Sequence, residues 1–462
     1  MLKNNLFFDN KEIEKKDYYK ILLIPNITWQ KDIDKDSYVK VMHDIIRELN
    51  KIRNDLIWYS PITSHSKLLD FPNVRQKLIK LPTYPNSMRG HFDYFEWMKI
   101  IDWQKQDFDL IWSHLPEWTT NIVNLFNNVT NITDLPVIGY CHWTETKENA
   151  KYSKTYLLNN ITGLLNMKHC GFNTQNQIDN ILDEVGPYFS KDTLKELRKI
   201  MIPIYLGVDD KDIQSEVNTE YEKTIVFNHR TQQYRKWDFF LQAIKKLREK
   251  RQDFKVWTSL IDTGGHQQFK KIFGDVDWLD TEQIDDRGKY LNKLRKCCVG
   301  VLCGSRWSVS VQDGLIQGLP YIHEKSKEAN ELFGVMSDLD YKNIDEFVVL
   351  LDEMLSDNEF RNLQSYKVLK YSKDVMSWSN RINDVNNLIN DSLSDLRSVG
   401  DKSKRKYEIV DFIKENGHVT KKQITDYLGW GRGISFTPYR HYIRLHGDFW
   451  MGEKYYVHKK GD

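Results

Sequence analysis

The residues best suited to chemistry by type and spacing lie in one block, LRKCCVGVLCGSRWSVSVQDGLIQGLPYI (294–322). A strand of small apolar residues leads into a serine-rich turn, Ser305 to Ser310, which includes Ser308, and a helix follows from near Val311. Backbone N–H groups at the start of a helix have no partner inside the helix and attract anions. The turn is therefore predicted to bind a phosphate-like group, with Ser308 and Ser310 beside it.

Asp313 falls on the first turn of the helix that follows the serines. A carboxylate at that place can accept hydrogen bonds from the hydroxyl groups of a ribose. The sequence Gly318-Leu319-Pro320 then predicts the end of the helix and the return of the chain to a strand. The block thus predicts a nucleotide site.

This block resembles the nucleotide-sugar site of GT-B glycosyltransferases, in the glycogen-synthase-like branch. Their pattern is Glu-Ala, three residues, Gly, one residue, Pro and an apolar strand; here Asp313, Gly314, Gly318 and Pro320 take those places. Ser305 stands where the branch has an earlier Glu, so the sugar contact and the retaining outcome do not carry over directly. The resemblance implies two Rossmann-like domains facing a central cleft and a nucleotide-sugar donor, UDP-glucose or similar.

The family also places an Arg at the end of a strand and a Lys at the start of the next helix, and both neutralise the diphosphate of the donor. The segment VFNHRTQQYRKWDFF supplies Arg230 and Lys236, with Arg235 as a rival for the second role. Two cations stabilise the charge that develops on a departing nucleoside diphosphate. IPIYLGVDD (202–210) resembles the turn that joins the two domains of the family, and Ser377-Trp378 resembles the start of its closing helix.

Residues at the ends of the first set of strands are the candidates for the acceptor side, because strand ends of a parallel sheet face the crevice. They are Pro25-Asn26, His65, His114 and His142. His114 and His142 each have a Glu three residues later, Glu117 and Glu145. We predict the catalytic base among His114, His142 and Glu145; the alternative is a strand-end His bonded to backbone.

Asp93 and Glu96 belong to an aromatic-rich loop, HFDYFEW, that either approaches an acceptor or only packs. Several Asp-x-Asp triplets are weak indications of a metal. The resemblance implies that no such metal site is needed, and Mg²⁺ stays an open alternative. No tightly bound cofactor is predicted.

Alternating strands and helices predict an α/β fold with doubly wound parallel sheets. Strands are predicted at 18–29, 55–62, 108–115, 135–143, 161–170 and 201–209, and in a second set at 223–230, 253–260, 297–304 and 320–323. The predicted domains are an N-terminal acceptor domain (1–210), a C-terminal nucleotide-sugar domain with a crossing helix (211–395), a linker (396–404) and a basic domain (405–462).

The last domain has the pattern of a winged helix-turn-helix, three helices followed by a hairpin. A helix at 435–446 is predicted to enter the major groove of DNA, with Tyr439 nearby. The nucleic-acid contacts are predicted at basic residues of this domain: Arg432, Arg440, Arg444, Lys454, Lys459 and Lys460.

The net charge of +2 over 462 residues conceals an uneven distribution. Residues 402–462 hold 13 Lys and Arg against 7 Asp and Glu, a net +6, so the remainder carries −4. This excludes a polycation that coats nucleic acid along its whole length and leaves one basic module. The alternative is a merely solvated basic face. An aromatic content of 13% excludes a disordered chain.

Five cysteines without paired CxxC motifs indicate reduced, buried thiols. The N-terminus has no apolar signal core and no stretch of about 18 apolar residues occurs, so a cytoplasmic protein is expected, in the host cytoplasm if phage-encoded.

The functional prediction is a glycosyltransferase that moves a sugar from a UDP-sugar to a hydroxyl on a macromolecule, most of all a hydroxymethylated pyrimidine in phage double-stranded DNA. The alternatives are transfer to surface polysaccharide or protein, and a DNA-binding regulator with a degenerate enzyme body.

Overall fold

In the computed structural model, the described residues are 18–25, 37–62, 69–78, 92–100, 108–126, 135–141, 154–231, 235–304, 308–393, and, near the C-terminus, 418–420, 423, 449–451 and 455–458. They form two parallel sheets, each with helices packed beside it, and a small antiparallel sheet.

The first sheet has seven parallel strands in the order β3-β2-β1-β4-β5-β6-β7. The strands are β1 (Tyr19–Ile24), β2 (Leu56–Ile62), β3 (Val74–Leu78), β4 (Leu110–Ser113), β5 (Val137–Cys141), β6 (His169–Phe172) and β7 (Met201–Pro203). The helices between them are α1 (Ser37–Ile52), α2 (Tyr94–Ile100), α3 (Pro116–Leu125), α4 (Lys154–Leu164), α5 (Gln175–Val185) and α6 (Lys191–Ile200). Central strands such as β1 and β4 are continuous apolar runs because both faces of the sheet are covered.

The prediction of a strand over 161–170 is wrong. Leu157, Ile161 and Leu164 are buried at helical spacing, and they belong to α4; the strand β6 begins only at His169. A short apolar run is compatible with both structures, and here packing against α3 selects the helix. Strand β3, VRQKL, was not expected because an edge strand is partly solvated and carries polar residues.

The second sheet has six parallel strands in the order β10-β9-β8-β11-β12-β13. They are β8 (Glu222–Val226), β9 (Lys255–Trp257), β10 (Leu279–Asp280), β11 (Cys297–Leu302), β12 (Tyr321–Glu324) and β13 (Asp340–Tyr341). The helices are α7 (Trp237–Lys250), α8 (Thr263–Phe273), α9 (Arg287–Arg295), α10 (Val309–Leu315), α11 (Lys327–Phe333), α12 (Ile344–Ser356) and α13 (Asn358–Tyr371). Both sheets follow the Rossmann order, which reverses direction between their first and fourth strands.

A last helix, α14 (378–393), returns from the second unit to the first. Its buried residues Trp378, Ile382 and Ile389 join the core formed by β1, β2 and α1. At the crossing point Gly207 lies against Trp378, and a Cβ at that glycine would be 2.3 Å from Cδ2 of the indole. The last helix, which follows the second sheet in sequence, therefore packs on the first unit.

Near the C-terminus, β14 (His418–Thr420), β15 (Phe449–Met451) and β16 (Tyr455–His458) form an antiparallel sheet in the order β14-β16-β15. Phe449 pairs with His458 and Met451 with Tyr456, which is the pairing of a hairpin. Apart from Thr420, which ends β14, and Gln423, the residues of the three helices expected before the hairpin lie outside the described residues, so the winged-helix assignment stays a prediction.

All five cysteines are within the described residues; they are buried and form no disulfide. No helix in the described part of the chain is long and apolar enough to cross a membrane.

Candidate active site

The candidate site lies at the carboxyl ends of β8 and β11, where the second sheet reverses its strand order. Asn228, two residues after the end of β8, is fully buried. Its side-chain nitrogen donates to the carbonyl of Ser310 at 2.7 Å and to the Tyr290 hydroxyl at 3.1 Å, and its side-chain oxygen accepts from the Tyr321 hydroxyl at 3.2 Å. These bonds hold the segment after β8 against the start of α10.

Two glycines, Gly300 on β11 and Gly314 on α10, make room for the ring of Tyr321 on β12. A Cβ on Gly300 would lie 2.5 Å from the Tyr321 ring, and one on Gly314 would lie 2.4 Å from it. Only residues without a side chain leave room for Tyr321, whose hydroxyl reaches Asn228. Gly318, with φ +74°, then ends the helix segment as predicted.

Ser308 is the N-cap of α10, and its hydroxyl accepts from the backbone N–H of Val311 at 3.4 Å. The hydroxyls of Ser308 and Ser310 are 3.0 Å apart and approach Nδ1 of His229 at 3.5 and 3.2 Å. Burial, together with the positive charge of Arg235, lowers the pKa of His229 well below its usual value. His229 is therefore neutral and links the end of β8 to the serines.

Asp313 is buried on α10, and its Oδ1 accepts from Nη2 of Arg287 at 3.0 Å. The same guanidinium donates to Oδ2 of Asp212 through Nε at 3.0 Å and Nη2 at 2.9 Å. Burial raises the pKa of Asp313, and the charge and hydrogen bond of Arg287 oppose that rise. Asp313, the carboxylate predicted to bind a ribose, thus lies at this end of the sheet and shares the Arg287 guanidinium with Asp212.

Arg230 follows His229 at the end of β8 and is exposed. Lys236 precedes α7 with φ 51° and ψ 45°, the left-handed conformation that side chains disfavour. Its Nζ lies 2.6 Å from both carboxylate oxygens of Glu324, at the end of β12. Strained backbone held by its surroundings is concentrated at functional sites, and Lys236 combines such backbone with a cation at the strand ends.

Two contacts join the units beside this site. Glu331 on α11 accepts the backbone N–H groups of Gln175 and Asn176 at 2.6 and 2.8 Å and the Tyr205 hydroxyl at 2.6 Å. Gln312 on α10 donates from Nε2 to the carbonyl of Leu206 at 3.0 Å. The start of α5 and the segment after β7 therefore contact the second unit at the candidate site.

On the acceptor side, His114 follows β4 and is buried. Its Nε2 accepts the indole N–H of Trp112 at 2.5 Å, so the lone pair of that nitrogen is engaged with the indole. Glu117 is buried and accepts from Asn160 at 2.9 Å. Asp93 accepts the backbone N–H of Glu96 at 3.1 Å and so caps α2.

Several predicted site residues lie outside the described residues: Asn26, His65, His142, Glu145, Ser305, Arg432, Arg440, Arg444, Lys454, Lys459 and Lys460. Among the described residues, no group of three or more His, Cys, Asp or Glu is arranged to hold a metal ion.

Asn228, His229, Arg287, Gln312 and Glu331 were not among the site residues expected from the sequence. Asn228 and His229 stand beside Arg230 at the end of an apolar strand, which is a signal that points to the crevice. Arg287, Gln312 and Glu331 carry no such signal, because each acquires its role from a residue distant in the sequence.

No protein-family model matches the chain, and no curated protein matches it in sequence. Solved structures do match in fold. Anabaena HepE in complex with UDP and glucose aligns at a TM-score of 0.57 and 11% identity, over 82% of this chain and 100% of HepE. A trehalose-6-phosphate structure from E. coli, bound with UDP-2-fluoro glucose, aligns at a TM-score of 0.56 and 13% identity, over 81% of this chain and 98% of that protein.

The alpha,alpha-trehalose 6-phosphate synthase from Burkholderia multivorans aligns at a TM-score of 0.55 and 12% identity, over 83% of this chain and 100% of that protein. Each alignment covers 81–83% of this chain, and the identities of 11–13% are too low to show more than architecture. The chain therefore has the α/β fold of the GT-B glycosyltransferases, two Rossmann-like sheets with the candidate site at the strand ends of the second.

Proposed function

We propose that the protein is a glycosyltransferase that uses a nucleoside-diphosphate sugar, a UDP-sugar, as donor. The proposal rests on the positions of Arg230 after β8, Lys236 before α7 and Asp313 on α10, each in a segment that follows the carboxyl end of a strand of the second sheet. In this fold, HepE and the E. coli protein have been solved with UDP, glucose or a UDP-sugar.

In the proposed complex, Asp313 accepts hydrogen bonds from the ribose hydroxyls, and the serines Ser308 and Ser310 lie near the phosphates. The bond between the sugar C1 and the diphosphate oxygen breaks, and its electron pair goes to the diphosphate. Arg230 and Lys236 stabilise that charge. Lys236 is released from Glu324 when the diphosphate takes the place of the carboxylate.

The acceptor hydroxyl forms the new bond to C1 and loses its proton to a base. We propose that base among His114, His142 and Glu145. For His114, proton uptake at Nε2 requires the bond from Trp112 to break, so we expect His114→Gln to lower kcat less than His142→Gln or Glu145→Gln. Comparing kcat for the three variants identifies the residue.

The donor site is tested by calorimetric titration of the full chain with UDP. Arg230→Ala removes a charge-assisted contact with the diphosphate, and we expect an affinity loss of about 10- to 100-fold, from about 1.5–3 kcal/mol. Lys255→Ala is the matched control, because Lys255 is an exposed cation at the opposite, amino end of β9. Equal UDP affinity in Arg230→Ala and wild type contradicts the donor assignment.

For the acceptor, we propose a hydroxymethylated pyrimidine in double-stranded DNA. The net charge of +6 over residues 402–462 and the paired strands β15 and β16 support a DNA-contacting module. Basic residues held near phosphates give salt-dependent duplex binding.

The acceptor is tested by incubating the protein with labelled UDP-glucose and duplex DNA that contains 5-hydroxymethylcytosine or 5-hydroxymethyluracil. Mass spectrometry of the nucleosides is expected to show added sugar. The Lys454→Gln/Lys459→Gln/Lys460→Gln variant is expected to bind duplex less tightly, with a smaller dependence of affinity on salt, while its UDP affinity stays at the wild-type value. UDP binding without any transfer to either duplex keeps the donor site and directs the search to polysaccharide or protein acceptors. DNA binding without UDP binding favours a regulator.

A further inference from the structure

Arg287, the first residue of α9, lies between two carboxylates that are distant in the sequence. It donates to Asp313 on α10 at 3.0 Å and to Asp212 at 2.9 and 3.0 Å. Asp212 ends the 3-10 turn Asp210–Asp212, in the segment that connects the two parallel sheets. The Asp212–Arg287–Asp313 cluster therefore connects the candidate donor carboxylate to the junction of the two units.

The two carboxylates of this cluster are more buried than the arginine between them. The Asp313 side chain is 11% exposed and the Asp212 side chain 17%, whereas the Arg287 side chain is 37% exposed. A buried carboxylate without a cation takes up a proton instead of remaining charged. Among the described residues, Arg287 is the cation within salt-bridge distance of Asp313, so Asp313 depends on it for its charge.

The other charged or titratable groups that face Asp313 do not replace Arg287. Lys40 on α1 acts on Asp313 only through the longer-range field, and its Nζ is paired with Asp44 at 2.7 Å. Asp212 opposes the ionisation of Asp313. Burial raises the pKa of both Tyr290 and Tyr321, so these neighbours stay neutral.

We propose that Arg287 is the positioning residue of the donor site: it holds Asp313 ionised and turned so that the carboxylate accepts from the donor's hydroxyl groups. The identity of the ligand rests on the proposed function; the dependence of Asp313 on Arg287 does not. A protonated carboxyl group uses one oxygen as a donor, so it does not accept a hydroxyl hydrogen on each of its two oxygens as a carboxylate does.

This role predicts that UDP affinity and folding stability depend on pH in opposite directions in a variant without Arg287. Without Arg287, the pKa of Asp313 rises further, and Asp313 is protonated at lower pH and ionised only as the pH increases. UDP affinity of the variant is then expected to rise with pH. Its folding stability relative to wild type is expected to fall with pH, because a raised folded-state pKa gives stability below that pKa that is lost as the proton leaves.

The experiment uses the full chain and four variants, Arg287→Met, Arg287→Lys, Asp313→Asn and the double variant Arg287→Met/Asp313→Asn. Urea unfolding midpoints and UDP affinities are measured between pH 5.5 and 8.5. Lys289→Met is the matched control, since Lys289 is an exposed cation on the same helix.

For Arg287→Met we expect a midpoint difference from wild type that grows with pH, and a UDP affinity at least about 10-fold below wild type at pH 5.5 that recovers in part at pH 8.5. Arg287→Lys keeps a cation and is expected to restore the wild-type pH profile. The double variant is expected to lose both pH dependences, because no ionisable carboxyl group is left at position 313.

A midpoint difference for Arg287→Met that is the same at every pH overturns the assignment, because it leaves Arg287 with a purely structural role. Equal slopes in Arg287→Met and the double variant overturn it as well. If wild type does not bind UDP while the stability profile behaves as expected, the proposed donor fails and the control of Asp313 by Arg287 stands.

Discussion

Replacing Lys236 by glycine and, separately, by alanine separates the effect of its backbone from that of its charge. The residue has φ 51° and ψ 45° and precedes α7. Left-handed backbone costs an L-residue about 1–2 kcal/mol, a cost that glycine does not have. Glycine in turn lowers the free energy of unfolding by about 0.4–1 kcal/mol, because it gives the unfolded chain more conformational freedom. The pair to Glu324 is lost in both variants and cancels from the comparison.

We therefore expect Lys236→Gly to be more stable than Lys236→Ala by about 0.5–1 kcal/mol in urea unfolding followed by tryptophan fluorescence. Both variants lack the ammonium group that the proposed function places at the diphosphate. Each is expected to bind UDP about 10- to 100-fold more weakly than wild type, from a charge-assisted contact of about 1.5–3 kcal/mol.

The two measurements refute different steps of the reasoning. Equal stability of the glycine and alanine variants would show that the left-handed conformation is not strained at this position. Wild-type UDP affinity in both variants would remove Lys236 from the donor site and leave its pair with Glu324 as a structural contact.

Three further predictions concern packing, pH and the contact between the units. Gly207→Ala places a Cβ 2.3 Å from Trp378 and is expected to lower the free energy of unfolding by about 1–3 kcal/mol. Gly264→Ala is the control: its Cβ would lie 3.5 Å from the nearest atom, and it should lower the free energy of unfolding by less than about 1 kcal/mol. Although burial raises the pKa of Asp44, hydrogen bonds and charges from its neighbours lower it to about 2. The lowered pKa contributes about 2 kcal/mol to the free energy of unfolding, which is present above pH 4 and lost as the pH falls through 2. Asp44→Asn should remove this pH dependence in urea unfolding. Glu331→Gln turns an amide group toward a backbone N–H, so hydrogen exchange at the start of α5 should become faster while its last turn is unchanged.

The part of the site that follows local rules could be predicted from the sequence. The apolar run of β11, the serine before α10 and Gly318 at its end are signals contained within about thirty residues, and the structure has each of them. The crossing helix after Trp378 was expected from the resemblance to GT-B glycosyltransferases, and the structure has a helix there whose buried apolar residues join the core of the first unit.

Where local signals were ambiguous, the sequence reasoning failed. The apolar segment at 161–170 fits a helix or a strand, and contact between α3 and α4 selects the helix for its first part. The polar edge strand β3 has too little apolar character to be recognised, because it pairs with the sheet along one edge only and its other edge is open.

The sequence by itself determined that strands and helices alternate, that two such sets follow one another and that Arg230, Lys236 and Asp313 stand at strand and helix ends. Only the tertiary structure decided which charges meet. Arg287 and Asp212 are 75 positions apart, and Glu331 and Gln175 are 156 apart. The physical reason is that hydrophobic periodicity specifies which face of an element is buried, whereas the partner of a side chain at its end depends on how whole elements dock.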